Sequence, residues 1–185
     1  MTSPFAPLAE RMRPKSLEEY IGQSHLVGKH TGFRKALDAG VLPSLILWGP
    51  PGVGKTTLAL LIANHLKRPF YTLSAISSGV KEVREIIQKA EGQGMFQNGG
   101  AILFIDEIHR FSKSQQDSLL NAVEKGVITL IGATTLVALL PAPFRNRFGA
   151  IFHFDFYELP EIEQIIARSA GILSLDISEE AIRIL

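Results

Sequence analysis

Short apolar runs alternate along this chain with segments whose apolar residues recur every three or four positions. The runs SLILW (44–48), PFYTL (69–73), AILFID (101–106), ITLIGA (128–133) and AIFHFDF (150–156) are short, rich in β-branched and aromatic residues, and predict strands. Between them, 55–67, 80–91 and 114–125 carry helical spacing. Strand–helix alternation of this kind implies a five-stranded parallel sheet covered on both faces, a three-layer α/β core. The N-terminal forty residues add helical pieces around 16–21 and 31–39. After Pro160, EIEQIIARSAGI predicts an amphipathic helix, and SEEAIRIL starts another with Ser178 as its N-cap. The chain thus divides into an α/β core over 1–157, with linker and helices in 1–40, and the start of a helical subdomain over 158–185.

One apolar stretch needs a different test. Residues 126–144 carry no charge over nineteen positions, near the length of a membrane-spanning helix. Glycines, threonines and two prolines interrupt it, and VITLIGA is short and β-branched, so a buried strand followed by a turn is the better expectation. Composition agrees with a folded globular chain: 46% hydrophobic, 20% charged. A net charge of +1 gives no overall footprint for nucleic acid, although an assembled surface could be locally basic. With no cysteine there are no disulfides or thiolate metal sites, which fits a reducing, cytoplasmic setting. The start, MTSPFAPLAERMRPKS, lacks the apolar centre of a signal peptide.

The strongest chemical signal is GPPGVGKT at 49–56, directly after an expected strand and before an expected helix. Gly52 and Gly54 let the backbone curl so that successive N–H groups point at phosphate oxygens. The helix N-terminus adds its partial positive charge. Pro51, Gly52, Val53, Gly54, Lys55, Thr56 and Thr57 are therefore candidates for holding a nucleotide. Lys55 would reach the β- and γ-phosphates, and Thr56 would ligate Mg²⁺.

The run ILFI delivers Asp106 and Glu107 to the C-terminal end of a strand, where ligands bind in open α/β sheets. Asp106 would hold the shell of the metal, and Glu107 could orient or deprotonate an attacking water. Thr134 and Thr135 end the next strand; a hydroxyl there could touch a γ-phosphate, or serve as an ordinary strand residue. The histidines at 25, 30, 65, 109 and 153 lie at no metal-ligand spacing, and His109 is expected to be a packing or solvent residue. Trp48 is expected in the core, and FQNGGA (96–101) as a surface loop. Arg145 and Arg147 have no acidic residue near them in sequence between Glu124 and Asp155. Each is either solvated, paired with a distant carboxylate, or reserved for a phosphate.

No guanine-selecting N-K-x-D motif is present, which favours adenine. ERMRPKSLEEYIGQ (10–23), GPPGVGKT and FIDEIH resemble the linker, Walker A and Walker B elements of the AAA+ ATPases. That resemblance implies a P-loop core followed by a helical lid, with Tyr20 and Ile21 lining an adenine pocket, and ATP and Mg²⁺ as ligands. Residues 7–135 resemble the RarA/MgsA family, relatives of the Werner-helicase-interacting protein, through PLAERMRPKSLEEYIGQ, LILWGPPGVGKTTLA, SAISSGVKEVREII and ILFIDEIHRFSKSQQDSLLNAVEKGVITLIGATT. From about 138 onward, LLPAPFRNRFGAIFHFDFYELPEIEQIIARSAGILSLDISEEA resembles the RuvB branch-migration motors instead. The change falls at 134–140 and implies either a chimera of two sources or a divergent natural member.

In both families an arginine matching Arg147 reaches across a subunit interface to a neighbour's γ-phosphate, and Thr135 matches a γ-phosphate sensor. The resemblance therefore implies a homo-oligomeric ring acting on DNA. Only KGV separates helix from strand before GATT, which leaves no room for the hairpin by which RuvB docks RuvA. The lid would supply a second sensor arginine; the sequence stops before one, so weak hydrolysis is expected from this stretch. The alternatives are a nucleotide-binding module without meaningful turnover, or a chimeric scaffold.

Overall fold

The computed structural model describes residues 7–94 and 100–184. Five parallel strands form one sheet: β1 (Leu45–Trp48), β2 (Phe70–Ser74), β3 (Ala101–Asp106), β4 (Ile128–Thr134) and β5 (Ala150–His153), in the order β2-β3-β4-β1-β5. The two-residue side-chain period of a strand divides each apolar run between two cores. Leu45, Leu47, Ile102, Phe104, Ile131 and Ala133 face one, shared with Leu58, Leu61 and Ile62 of α4 (Lys55–His65). Ile46, Leu103, Ile105 and Leu130 face the other, shared with Val83 of α5 (Val80–Gly94) and Leu119 of α6 (Lys113–Glu124). Every residue of β4 is buried, as befits a central strand covered on both faces. The uncharged stretch after Gly126 is thus β4 and the turns that follow it, and no described helix is long and apolar enough to cross a membrane.

Local signals set several boundaries. Ser112 accepts from the Gln115 N–H while the Gln115 side chain takes the Ser112 N–H, a capping box that starts α6. Thr31 caps α3 (Gly32–Asp38) through its hydroxyl, which accepts from the Arg34 N–H, and the Ser178 hydroxyl accepts from the Ala181 N–H at the start of α9 (Glu179–Ile184). Pro160 lies in the first turn of α8 (Leu159–Leu173), where its missing N–H costs nothing.

Four expectations need correction. No helix forms over 16–21: the helical turns are α1 (Leu8–Arg11) and α2 (Ser24–Val27), and between them the chain is bent and pinned by side chains. Leu17 and Tyr20 are buried there, and Glu18 takes a hydrogen bond of 2.5 Å from Arg34, which also holds Asp38. The last strand stops at His153 because Gln23 exchanges two hydrogen bonds with the Asp155 backbone and draws the chain away. Trp48 is half-buried and packs on the exposed His153, ring centroids 4.0 Å apart. Of FQNGGA, 96–99 lie outside the described residues, while Gly100 and Ala101 are buried at the start of β3.

Candidate nucleotide-binding and hydrolysis site

The C-terminal ends of β1, β3 and β4 lie side by side, and the chemistry predicted from sequence gathers there. After β1 the backbone turns through Gly49, Gly52 and Gly54, all at positive φ (149°, 80° and 90°). A Cβ on Gly54 would lie 2.6 Å from the Tyr20 hydroxyl and 2.8 Å from that of Tyr157. No side chain caps α4 at this end, so its first-turn N–H groups are left for a ligand. Pro51 and Gly52 are exposed, Thr56 and Thr57 half-buried. Val53 turns its side chain into the core, so only its backbone can serve the loop.

The Lys55 ammonium is buried and donates to the carbonyls of Gly49 (2.9 Å) and Pro50 (2.6 Å). Burial pushes its pKa down, opposed by the negative charges of Asp106 and Glu107. Those two carboxylates end β3: Asp106 is exposed, and its Oδ1 accepts from the Glu107 N–H at 3.1 Å. Glu107 itself adopts left-handed backbone (φ 51°), a conformation that costs a non-glycine residue about 1–2 kcal/mol. The Thr135 hydroxyl donates to Glu107 Oε2 at 3.4 Å.

On the other side of the loop, Tyr20, Ile21, Gly54, Thr57, Tyr157 and Arg168 help to line a cavity of about 340 Å³. The hydroxyls of Tyr20 and Tyr157 share a hydrogen bond, and burial raises the pKa of both. Arg168, on α8, donates to the Met12 carbonyl and to Glu19, 2.7 Å each, and so ties that helix to the N-terminal segment.

Arg147 is not brought to this cluster. It follows α7 (Ala142–Arg145) and pairs with Glu124 at the end of α6. Its neighbour Gly149 donates to the Ser44 carbonyl at the start of β1, about 16 Å of strand away from Gly49. Arg145 is half-buried beside it.

Three residues with no role assigned from sequence belong to the site. His109 is neither a solvent residue nor mere packing: it is buried, with Nδ1 3.1 Å from Glu107 Oε2 and 2.8 Å from the Thr134 hydroxyl. Its place two residues after Glu107 was the available signal; the 3₁₀ turn (Ile108–Arg110) that carries it back belongs to the fold. Tyr157 and Arg168 carry no local signal, since both partner residues more than a hundred positions away.

Residues 45–156 match the profile of the ATPase family associated with various cellular activities (AAA). The chain is 53% identical over 131 residues to replication-associated recombination protein A of Haemophilus influenzae, covering 71% of this chain and 29% of that protein. It is 36% identical to the Holliday junction branch migration complex subunit RuvB of Clavibacter michiganensis, covering 92% of this chain and 52% of that one. The structure of the Thermotoga maritima RuvB Holliday junction branch migration motor superposes with a TM-score of 0.80 at 36% identity, over 94% of this chain and 58% of that chain. The chain therefore spans under a third of the first kind of relative and just over half of the second.

Proposed function

The chain belongs to the AAA family of ATPases, and on that premise we propose that it is the ATP-binding and ATP-hydrolysing core of a motor of DNA replication or recombination. The observation that carries this reading is the convergence of Lys55, Asp106, Glu107 and Thr135 at three adjacent strand ends. The N–H groups from Gly52 to Thr57 would cradle the phosphates, and the cavity beside Tyr20 and Ile21 would take adenine. Lys55 would exchange the carbonyls of Gly49 and Pro50 for β- and γ-phosphate oxygens. Asp106 and Thr56 offer hard oxygen donors, the kind Mg²⁺ prefers. A bound Mg²⁺ would neutralise charge developing on the phosphates. Glu107 would take a proton from the water attacking the γ-phosphorus as the bond to the bridging β–γ oxygen breaks and ADP leaves, with Thr135 beside it as the γ-phosphate sensor.

Arg147 would serve a second copy of the chain, which is the partner this reading requires. Residues 1–157 would act as the core and 158–185 as part of the lid, with Arg168 holding the lid helix over the base. The different reach of the two similarities supports a composite chain, RarA-like with a RuvB-like C-terminal part. Three residues, 125–127, connect α6 to β4, which supports the absence of a RuvA-docking hairpin there. DNA as the substrate of the motor rests on the named relatives alone.

ATP turnover per molecule, measured over a wide range of protein concentration, tests the reading. Specific activity that rises with concentration supports subunits completing one another's sites. Zero activity with measurable ATP binding would leave a binding module without turnover. Failure to bind ATP at all would leave a scaffold.

A further inference from the structure

We infer that His109 is a positioning residue for Glu107, fixing its carboxylate and tying it through Thr134 to the base of the phosphate loop. The inference rests on the hydrolytic role proposed above. A carboxylate has only lone pairs to offer, so the 3.1 Å approach of Nδ1 to Glu107 Oε2 favours the tautomer with the ring proton on Nδ1. The same N–H faces the Thr134 hydroxyl oxygen at 2.8 Å, which also accepts from the Leu136 N–H at 3.0 Å. Thr134 is wholly buried, and its carbonyl accepts from the Gly49 N–H at 3.2 Å. Gly49 in turn receives Lys55 Nζ on its own carbonyl. A series of short polar contacts, passing through the backbone of Gly49 and Thr134, thus links the lysine that would meet phosphate to the carboxylate that would meet water.

The local backbone explains why a histidine is needed here. Left-handed Glu107 starts the 3₁₀ turn, which carries His109 back under the strand ends. There the imidazole is buried, with its side chain 7% exposed. A half-buried glutamate with many rotamers would otherwise lose its aim; a buried N–H, itself held by Thr134, removes that freedom. The Thr135 hydroxyl at 3.4 Å from the same Oε2 is too long a contact to do this alone.

The test uses the position of the donor nitrogen. Asparagine places its amide nitrogen near the site of Nδ1, whereas glutamine places it near Nε2 and leucine has none. With Mg²⁺–ATP, His109→Asn is expected to keep kcat within about threefold. His109→Gln and His109→Leu should lose about tenfold or more, as orienting partners of reactive groups commonly do. KM and the Kd for ATP should change less than about twofold in all three. Equal losses in the asparagine and glutamine variants, or losses confined to binding, would overturn the inference. ¹⁵N-histidine NMR of the wild-type protein needs neither activity nor a folded variant at this position. A ring Nδ1 of protonated type that shifts on Glu107→Gln supports the inference; no ring with a protonated Nδ1 responding to Glu107→Gln overturns it. If the wild type shows that signal without any turnover, the hydrolytic role fails while the placement of Glu107 by His109 stands.

Discussion

Arg147 is ion-paired with Glu124 of its own chain, at the sheet edge opposite Lys55. Glu124 ends α6 four positions before β4 begins, and Arg147 lies just ahead of β5, so both sit at the edge where the strands start. An arginine there cannot reach its own chain's Lys55, and its exposed side chain faces away from that site. Both side chains are more than half exposed, and such surface pairs contribute only about 0–1 kcal/mol, so Glu124 releases it at little cost.

Arg147→Ala is accordingly expected to bind ATP with unchanged Kd and to lose about 10³-fold or more in kcat. Mixing it with Lys55→Ala should recover activity, because each variant supplies what the other lacks. A mixture as inactive as its parts would place Arg147 outside the reaction. Glu124→Gln should leave turnover within about twofold.

Lys55→Ala should weaken ATP binding by about a hundredfold or more, since charge-assisted hydrogen bonds to phosphate contribute about 1.5–3 kcal/mol each. Isothermal calorimetry checks this directly. Unchanged affinity would sink the phosphate-loop assignment.

Gly54→Ala tests the crowding between loop and tyrosines. The new methyl would collide with the hydroxyls of Tyr20 and Tyr157 and would force alanine to φ 90°. Destabilisation of about 1–3 kcal/mol is expected, read as a lower midpoint in denaturant, together with weaker ATP binding. Gly92, with open space around its Cβ position and ordinary helical backbone, should tolerate alanine.

Acid should loosen the N-terminal segment before the core. The hydrogen bond from Arg34, then those of its own backbone and Ser16, hold the Glu18 carboxyl near 2 rather than its ordinary 4.5. A depressed carboxylate contributes stability in full above pH 4.5 and loses it as pH falls through 2. Because Glu18 is half-exposed, the contribution is about 1 kcal/mol after screening. Glu18→Gln should remove that part of the pH dependence of unfolding between pH 4.5 and 2; an unchanged slope would assign it elsewhere.

Much of this protein is written locally. The five apolar runs specify strands by their shortness and their β-branched and aromatic content; β1, β3 and β4 are buried on both faces, while the edge strands β2 and β5 are only partly covered. GPPGVGKT is legible for a similar reason: glycines that permit the curl, the lysine and the hydroxyl all fall within eight consecutive residues. Asp106 and Glu107 follow from their place at the end of such a run. What only the tertiary structure decided are the partnerships. Arg147 meets Glu124 across 23 positions and Arg168 meets Met12 across 156. The bend at 16–21 replaces a helix because Arg34, thirteen or more positions downstream, captures Glu18. His109 lies only two residues from Glu107, yet its role depends on the left-handed turn and on Thr134 from another strand. Periodicity and motif spacing report what each residue's near neighbours along the chain make favourable. Which charged or polar group a side chain finally holds depends on where the folded backbone sets the two, and that is fixed by packing of the whole sheet and its helices.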